Sequence, residues 1–145
     1  VEVQNAGNVG SVARAMLNMG LHRLHLVNPS CDPQSPEVKQ MARDAKSILG
    51  QAKSFSTLDE VLSDLHFAVA TTARQGKRRS SDKSPRDVAP SIIERASSEQ
   101  VALVFGPEDR GLSAEDLARC QEVLTIPTSA EFHSLNLAQA VMIAQ

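Results

Sequence analysis

The stretch Val101-Ala102-Leu103-Val104-Phe105-Gly106-Pro107 decides the fold of this chain. Its five consecutive apolar residues are rich in β-branched types and end at a Gly-Pro pair, which is typical of a strand buried on both faces. Such strands belong to parallel sheets, because helices cover both sides of a parallel sheet. We therefore predict an α/β protein in which Gly106, Glu108 and Gly111 lie at the carboxyl edge of the sheet, where open α/β sheets hold ligands.

The rest of the chain alternates predicted strands with predicted helices. The strands are expected at 1–3, 23–27, 53–55, 66–71, 101–105 and 122–126, and the helices at 11–19, 36–48, 57–64, 85–97, 114–119 and 134–145. This alternation predicts a mostly parallel sheet flanked by helices. At 145 residues and 41% apolar content, residues 1–145 should form one domain. Because the chain starts inside a strand without Met and stops in an uncapped helix, we expect it to be trimmed at both ends.

The first twenty residues predict a short strand, a Gly/Asn-rich turn and an amphipathic helix that stops at Gly20. A tight turn before a helix presents free backbone N–H groups, which favour an anionic ligand. Gly7 and Gly10 allow a close backbone approach in that turn. Arg14 follows Gly10 by one helical turn, so its guanidinium could reach the mouth of the loop. The alternative is a solvated surface arginine.

Asn136 stands in an otherwise apolar helix that Ser134 is expected to open. A buried amide without partners costs roughly 1–3 kcal/mol, so Asn136 needs hydrogen bonds. It either supports a cap made by Ser134 or belongs to a wider network of loop residues.

Charge and composition exclude several classes of function. A net charge of −2 and a pI near 6.1 exclude a uniformly basic nucleic-acid binder, so any RNA contact must come from a local patch. The candidate patch comprises Arg74, Lys77, Arg78, Arg79, Lys83 and Arg86, and its alternative is a solvated surface loop. Cys31, Cys120 and the four histidines have no metal spacing, so we predict no metal site. Without a signal peptide or a membrane-length apolar run, we expect a cytoplasmic protein that has no membrane partner.

Three segments together resemble a known family. N-x-G-N-x-G-S-x-x-R from Asn5 to Arg14, F-G-P-E-x-x-G-L from Phe105 to Leu112, and Ile126-Pro127 with Ser134-Leu135-Asn136-Leu137-Ala138 look like the three motifs of the SpoU/TrmH family of SPOUT RNA 2′-O-methyltransferases. Their order and spacing match over nearly the whole chain. Within that family the chain is most similar to the TrmJ branch, the tRNA (cytidine/uridine-2′-O)-methyltransferases, whose members carry a C-terminal extension that is absent here.

The resemblance implies a fold and partners that composition does not predict. It implies a C-terminal deep trefoil knot, S-adenosyl-L-methionine bound in the knot, and a homodimer whose second subunit completes the active site. It implies methylation of RNA, with a cytidine or uridine at position 32 of the tRNA anticodon loop as the expected target. An rRNA or another tRNA position remains an alternative, as does a catalytically inactive RNA-binding relative.

The resemblance also implies roles for individual residues. Arg14 and Ser134 would serve in catalysis. The cofactor would be bound by Thr71, Thr72, Ala73, Gly106, Ile126, His133, Ser134 and Leu135. Asn5, Asn8, Glu108 and Asn136 would form a structural loop network. RNA would be bound by Arg14, Arg74, Lys77, Arg78 and Arg79.

A dinucleotide-dependent oxidoreductase is the least favoured alternative. Asp32 follows the glycine-rich segment by about twenty residues, as the ribose-binding acid of such enzymes does. However, Asn5 stands in place of the first glycine of G-x-G-x-x-G, and Asp32 lies beyond Asn28-Pro29 rather than at a strand end.

Overall fold

The computed structural model describes residues 1–73 and 83–145. Within these ranges the strands are β1 (His25–Val27), β2 (Lys53–Phe55), β3 (Phe67–Thr71), β4 (Val101–Val104) and β5 (Glu122–Leu124). The helices are α1 (Ala6–Asn18), α2 (Pro36–Ala42), α3 (Lys46–Gln51), α4 (Leu58–Leu62), α5 (Pro85–Ala96), α6 (Ala114–Arg119) and α7 (Leu137–Ala144), with a 3₁₀ turn at Arg43–Ala45.

All the strand pairs are parallel. β3 is central and pairs with β4 on one side and β5 on the other, while β1 pairs with β2 in a second, two-stranded sheet. The predicted α/β architecture with parallel strands flanked by helices is therefore confirmed. The prediction that the strand at 101–105 is buried on both faces is wrong, because β4 lies at the edge of its sheet and only Val104 in it is buried. β3 ends beside β4 and β5, so the loops that follow these strands share one edge of the sheet.

The predicted strand at 1–3 is wrong. Glu2 has a φ of 48°, which breaks the extended conformation that a strand requires. These residues instead lie between the two sheets: Glu2 N donates to Val27 O (2.7 Å) and the amino group of Val1 donates to Phe105 O (2.8 Å). Val3 is buried in the core.

The predicted Gly/Asn-rich turn is also wrong, because α1 begins at Ala6 rather than at residue 11. Asn5 caps the helix, and its side chain accepts a hydrogen bond from Asn8 N. Gly10 lies inside the helix where α2 packs against it. A Cβ at Gly10 would lie 2.3 Å from Val38 O and 2.8 Å from Met41 Cβ. Gly10 therefore serves close helix packing rather than ligand access.

Two other predicted helices differ from the structure. The helix expected at 36–48 is divided into α2, the 3₁₀ turn and α3, because Arg43 adopts a φ of 49° that an α-helix cannot accommodate. The helix expected from Ser134 begins only at Leu137. It is also less buried than its apolar sequence predicts: Val141 is 4% exposed, but Ile143 is 49% exposed.

The hydrophobic core of the described residues consists of three clusters. One joins α1, α2, α3 and α7 around residues such as Ala13, Val38 and Ile48, which are at most 1% exposed. The other two clusters cover the faces of the three-stranded sheet, whose Val69 and Ala70 are fully buried. In the described part of the chain, no helix is long and apolar enough to cross a membrane.

Candidate active site

A cavity of about 640 Å³ opens at the carboxyl edge of the three-stranded sheet. It is lined by Thr71, Thr72, Ala73, Phe105, Gly106, Pro107, Glu108, Asp109, Arg110, Gly111, Ile126, His133, Ser134, Leu135, Leu137 and Ala140. All eight residues predicted to bind a cofactor are among them, although they come from three separate parts of the sequence. The volume lies within the roughly 300–1,000 Å³ that is typical of small-molecule sites.

The sequence prediction missed several lining residues. Asp109 and Arg110 occupy the two unspecified positions of F-G-P-E-x-x-G-L, so the motif gave no reason to select them. Leu137 and Ala140 are three residues apart on α7 and therefore share one face of that helix. This helical spacing, counted from the predicted Ser134 and Leu135, is the signal that could have identified them.

The end of β3 is fixed on both sides. Thr71 Oγ1 donates a hydrogen bond to Val104 O on β4 (3.0 Å), and Thr72 N donates to Leu124 O on β5 (3.0 Å). The Thr71–Ala73 wall of the cavity is thus held by its two neighbouring strands.

The loop after β4 folds tightly on itself. A Cβ at Gly106 would lie 2.2 Å from Leu112 N and 2.4 Å from Gly111 C, so the returning loop occupies the space that a side chain would need. Gly111 N donates to Pro107 O (2.8 Å) and closes the turn. Gly106 is therefore required by the packing of the loop itself.

Glu108 links this loop to the start of α1. Its Oε2 accepts a hydrogen bond from Gln4 N (2.9 Å), and its Oε1 accepts from Asn5 N (3.2 Å) and from Asn8 Nδ2 (2.8 Å). The sequence predicted that N–H groups here would favour an anionic ligand. The anion is the chain's own Glu108 carboxylate.

The same hydrogen bonds set the ionisation of Glu108. Its partial burial opposes ionisation, but the bonds from Asn8, Gln4 and Asn5 outweigh that effect and hold the pKa of the carboxyl below its usual value. Glu108 therefore remains charged at neutral pH, as a hydrogen-bond acceptor for three donors should.

Asn136 completes the network and also caps α7. Its Oδ1 accepts a hydrogen bond from Ala138 N (2.9 Å), and its Nδ2 donates to Asn8 Oδ1 (2.9 Å). Asn136 therefore belongs to the wider network of loop residues, and the expectation that Ser134 makes the cap is wrong, because Asn136 itself is the capping residue. Asn5, Asn8, Glu108 and Asn136 are joined in one hydrogen-bonded network that connects the three sequence motifs.

A second groove of about 630 Å³ contains Arg14. It is lined by Ser11, Arg14, Ala15, Asn18, Met41, Leu135, Ala138, Gln139, Met142 and Ile143. Leu135 belongs to both spaces, so the groove lies beside the cavity. Arg14 is exposed there, and no hydrogen bond or ion pair of its side chain is formed within the described residues.

The basic patch is only partly within the described residues. Arg74, Lys77, Arg78 and Arg79 lie outside them. Lys83 is engaged in an ion pair, with its Nζ 3.0 Å from Glu122 Oε1. Arg86 is exposed.

The remaining candidates have structural surroundings. Asp32 Oδ1 accepts a hydrogen bond from Gln34 N (2.9 Å) in a turn outside the cavity, and the glycine-rich segment is helical, so neither feature of the oxidoreductase alternative is present. Burial raises the pKa of the Cys120 thiol to about 11. Among residues 1–73 and 83–145, no three His, Cys, Asp or Glu side chains are grouped as metal ligands.

Comparisons with known proteins agree with this architecture. The family model described as the SpoU rRNA Methylase family matches residues 1–145. The tRNA (cytidine/uridine-2′-O-)-methyltransferase TrmJ of Pectobacterium atrosepticum is 40% identical over 143 residues, which are 99% of this chain and 59% of that protein. The chain thus spans little more than half the length of this curated relative.

Two solved structures share the fold. The crystal structure of TrmJ from Z. mobilis ZM4 superimposes with a TM-score of 0.86 at 39% identity, covering 99% of this chain and 63% of that one. A structure concerned with the 2-OH methylation of C/U34 on tRNA superimposes with a TM-score of 0.75 at 31% identity, covering 99% of this chain and 86% of that one.

Proposed function

This chain belongs to the SpoU rRNA Methylase family, and from that premise we propose that it transfers a methyl group from S-adenosyl-L-methionine to a ribose 2′-hydroxyl of tRNA. The observation that carries the proposal is the meeting of Thr71–Ala73, Gly106, Ile126 and His133–Leu135 around one cavity. A tRNA-modifying enzyme is expected to act in the cytoplasm, where tRNA is found.

The cavity suits the proposed cofactor. Ile126, Leu135 and Leu137 line the cavity and would supply apolar contacts for an adenine ring, while backbone groups of the Gly106–Gly111 loop would supply hydrogen bonds. Asp109 and Arg110 also line the cavity, where they form an ion pair with each other (3.2 Å) and Arg110 forms a second one with Glu2 (2.5 Å). When bound, S-adenosyl-L-methionine would supply an electrophilic methyl group on a sulfonium.

The chain's own residues would then position the hydroxyl and help to remove its proton. Arg14 lies in the adjoining groove, and Ser134 lines the cavity. A guanidinium has only N–H donors and no acceptor, so Arg14 is not a simple base. We assign it to the neighbouring phosphate or to the developing alkoxide, with the proton leaving through phosphate, Ser134 or water.

A homodimer is part of the proposal. Met41 and Ile143 line the groove around Arg14 and are 44% and 49% exposed. Met19 and Leu21, which follow the end of α1, are 50% and 42% exposed. Exposed apolar residues of this kind are typical of an interface. A second copy packed on this groove would place Arg14 between the two subunits and complete the site.

The trefoil knot is also proposed. Thr72 N bonds Leu124 O on one edge of β5, and Lys83 pairs with Leu124 on the other edge. Residues on either side of 74–82 therefore bracket a strand that comes later in the sequence. This arrangement supports threading of the C-terminal segment, which is otherwise rare among folds.

Position 32 of the anticodon loop, carrying cytidine or uridine, is the proposed target. A second candidate is position 34, because the structure concerned with C/U34 methylation shares the fold at 31% identity. The low aromatic content disfavours base stacking, so RNA shape and phosphate contacts should dominate recognition. If the substrate is rRNA instead, the protein should transfer methyl groups to rRNA and not to tRNA.

The Arg14→Lys variant tests the proposed role of Arg14. Transfer of tritiated methyl groups to unmodified tRNA should fall roughly 10- to 100-fold, because the ammonium cannot replace the planar guanidinium fork. Calorimetry should find S-adenosyl-L-methionine binding unchanged. Arg23→Lys is the matched control, since Arg23 contacts the Gln100 side chain outside both cavities. Unchanged turnover in Arg14→Lys would reject the assignment, and absence of cofactor binding by the wild type would reject the proposed function.

A further inference from the structure

Methyl transfer to a ribose 2′-hydroxyl releases one proton, and a base has to receive it. Phosphate diesters, water and the Ser134 hydroxyl are weak bases, so each of them relays a proton better than it keeps one. An efficient general base at neutral pH is a neutral imidazole or a carboxylate that has a free lone pair. The described side chains around the cavity and around the Arg14 groove include few such groups.

The acidic side chains of the cavity are already engaged. Partial burial of Glu108 favours its neutral form, but the hydrogen bonds from the start of α1 to both of its oxygens outweigh burial and keep its pKa below the usual value. Asp109 contacts Arg110 (3.2 Å). A hydrogen bond with the Gln4 side chain and the charge of Arg110 lower the pKa of the Asp109 carboxyl. Carboxylates held in the charged form by donors are poor proton acceptors.

The groove beside the cavity offers no base among the described residues that line it. Its polar side chains are those of Ser11, Arg14, Asn18 and Gln139. Hydroxyl and amide groups do not take up a proton at neutral pH, and a guanidinium has no acceptor.

His133 is different from all of these groups. All four histidines of the chain lie in the described ranges, and His133 alone among them lines the cavity. It is exposed, and its Nδ1 lies 3.5 Å from Thr128 Oγ1. When Nδ1–H points to this hydroxyl, the neutral ring has its lone pair on Nε2. Nε2 has no hydrogen-bond partner among the described residues, so it is available as an acceptor.

The position of His133 suits proton removal from the methyl acceptor. His133 and Ser134 line the cavity, and Leu135 lines both the cavity and the Arg14 groove. In the proposed reaction the hydroxyl lies between the methyl donor in the cavity and the guanidinium in the groove. Residues 133–135 border that place. The ring is also exposed, so it can return the proton to water after each transfer.

The turn that carries His133 is held by its own hydrogen bonds. Phe132 N donates to Ser129 O (3.3 Å), and Glu131 N donates to Ser129 Oγ (3.2 Å). These bonds fix the backbone immediately before His133, which favours one placement of the ring at the cavity.

We infer that His133 is the general base of methyl transfer and that its Nε2 takes the proton of the ribose 2′-hydroxyl. As the O–H bond breaks, the oxygen forms a bond to the methyl carbon. The carbon–sulfur bond breaks, and its electron pair stays on the sulfur as a neutral thioether. The imidazolium then gives its proton to water. This inference rests on the proposed function; the alternative is that His133 contacts the cofactor and takes no part in proton transfer.

Charged groups of both signs surround the ring. Glu108, Asp109 and Arg110 line the same cavity, Glu131 belongs to the same turn, and Arg14 lies in the adjoining groove. The variants used below leave all of these groups unchanged. A change in the pH profile therefore reports on His133 itself.

The His133→Gln variant tests the inference, because glutamine keeps a polar side chain but takes up no proton. The single-turnover rate of methyl transfer to unmodified tRNA should fall about 100-fold or more, as is typical when a general base is removed. Calorimetry with S-adenosyl-L-methionine and fluorescence anisotropy with tRNA should give unchanged affinities. The matched control is His22→Gln, since His22 is exposed and lines neither space. It should match the wild type in all three measurements.

The pH profile separates a base from a cofactor contact. In the wild type, kcat/KM should rise with pH as the imidazole loses its proton and should then level off, and this rise should be absent in His133→Gln. NMR of histidine-labelled protein provides a readout that needs no turnover. The ring signal that is missing in His133→Gln should titrate over the same pH range as kcat/KM of the wild type.

Three results would overturn the inference: a smaller fall in the single-turnover rate, a pH profile that keeps its rise in His133→Gln, or a loss of activity that weaker cofactor binding accounts for. The last result would make His133 a cofactor contact only. If the wild type methylates tRNA and His133→Gln does so equally fast, this inference alone fails. If the wild type transfers no methyl group to tRNA, the proposed function fails and this inference fails with it.

Discussion

Replacing Glu108 by Gln should weaken the hydrogen bonds that join the loop between β4 and α6 to the start of α1. In the wild type, Glu108 Oε1 accepts from Asn5 N and Asn8 Nδ2, and Oε2 accepts from Gln4 N. A glutamine can keep its carbonyl oxygen on the first two donors, but its NH₂ group then faces Gln4 N–H. One hydrogen bond is lost, and two become bonds to a neutral acceptor.

The magnitude follows from these bonds. Hydrogen bonds to a charged group contribute about 1.5–3 kcal/mol each when enclosed, and the partial exposure of Glu108 reduces that contribution. We expect the free energy of unfolding to fall by about 1–2 kcal/mol, which for a domain of this size lowers Tm by roughly 2–8 °C. If the cofactor binds only when this loop is ordered, the affinity of Glu108→Gln for S-adenosyl-L-methionine should be lower than that of the wild type. The decrease should not exceed about 5- to 30-fold, the factor that corresponds to 1–2 kcal/mol.

The effect should depend on pH in a defined direction. The folded-state pKa of Glu108 is lowered from its ordinary value of 4.5, so its stabilisation is present above that value and is lost as pH falls through the folded pKa. Glutamine does not titrate. The difference in unfolding free energy between wild type and Glu108→Gln should therefore be largest near neutral pH and shrink below pH about 4.5.

Urea unfolding at pH 7 and pH 4, with calorimetric cofactor titration at pH 7, provides the assay. Glu94→Gln is the matched control, because Glu94 is exposed on α5 and distant in sequence from the cavity loops. A Glu108→Gln protein that is as stable as Glu94→Gln at pH 7, or a gap that grows on acidification, would refute the reasoning.

Two further changes test the packing and the cap. Gly10→Ala should lower the free energy of unfolding by about 2 kcal/mol or more, because the new Cβ would lie 2.3 Å from a backbone oxygen of α2. Gly50 has open space around it, so Gly50→Ala should be neutral or stabilising in the same urea titration. Asn136→Ala should cost about 1–2 kcal/mol by urea unfolding and Asn136→Ser roughly 1 kcal/mol less, because serine keeps the cap and loses only the link to Asn8; equal losses would contradict a capping role.

The sequence predicted the sheet and the lining of the cavity well because both follow strong local signals. The apolar run at Val101–Phe105 correctly predicted a parallel strand, although that strand lies at the edge of its sheet and only Val104 in it is buried. Parallel strands bring their carboxyl ends to one edge. The loops after β3, β4 and β5 had to meet there. The structure brings the eight predicted cofactor residues together for that reason, while their binding role stays a prediction.

The start of α1 could not be predicted because the reason for a glycine at position 10 is its contact with α2, which is distant in the sequence. Gly7 and Gly10 resemble a turn locally, and only the approach of α2 to Gly10 reveals that the small residue belongs inside a helix. The low helix propensity of these glycines was overridden by tertiary packing. The positive φ angles of Glu2 and Arg43 could not be predicted either, since neither residue type favours a left-handed backbone.

The case of Asn136 lies between these extremes. The expectation that Asn136 is a buried amide within the helix is wrong, because it is exposed and precedes α7 as its N-cap. The expectation that it belongs to a wider loop network agrees with the structure, in which its oxygen caps α7 and its NH₂ group bonds Asn8.

Methyl transfer to defined tRNA positions tests the central claim most directly. Unmodified tRNA transcripts would be incubated with the complete protein and tritiated S-adenosyl-L-methionine, then digested with nuclease and mapped by mass spectrometry. We predict a single 2′-O-methylated cytidine or uridine in the anticodon loop at position 32, with the rate of incorporation roughly 10- to 100-fold lower in Arg14→Lys. A methyl group on a base, or no incorporation by protein that binds the cofactor, would contradict the account.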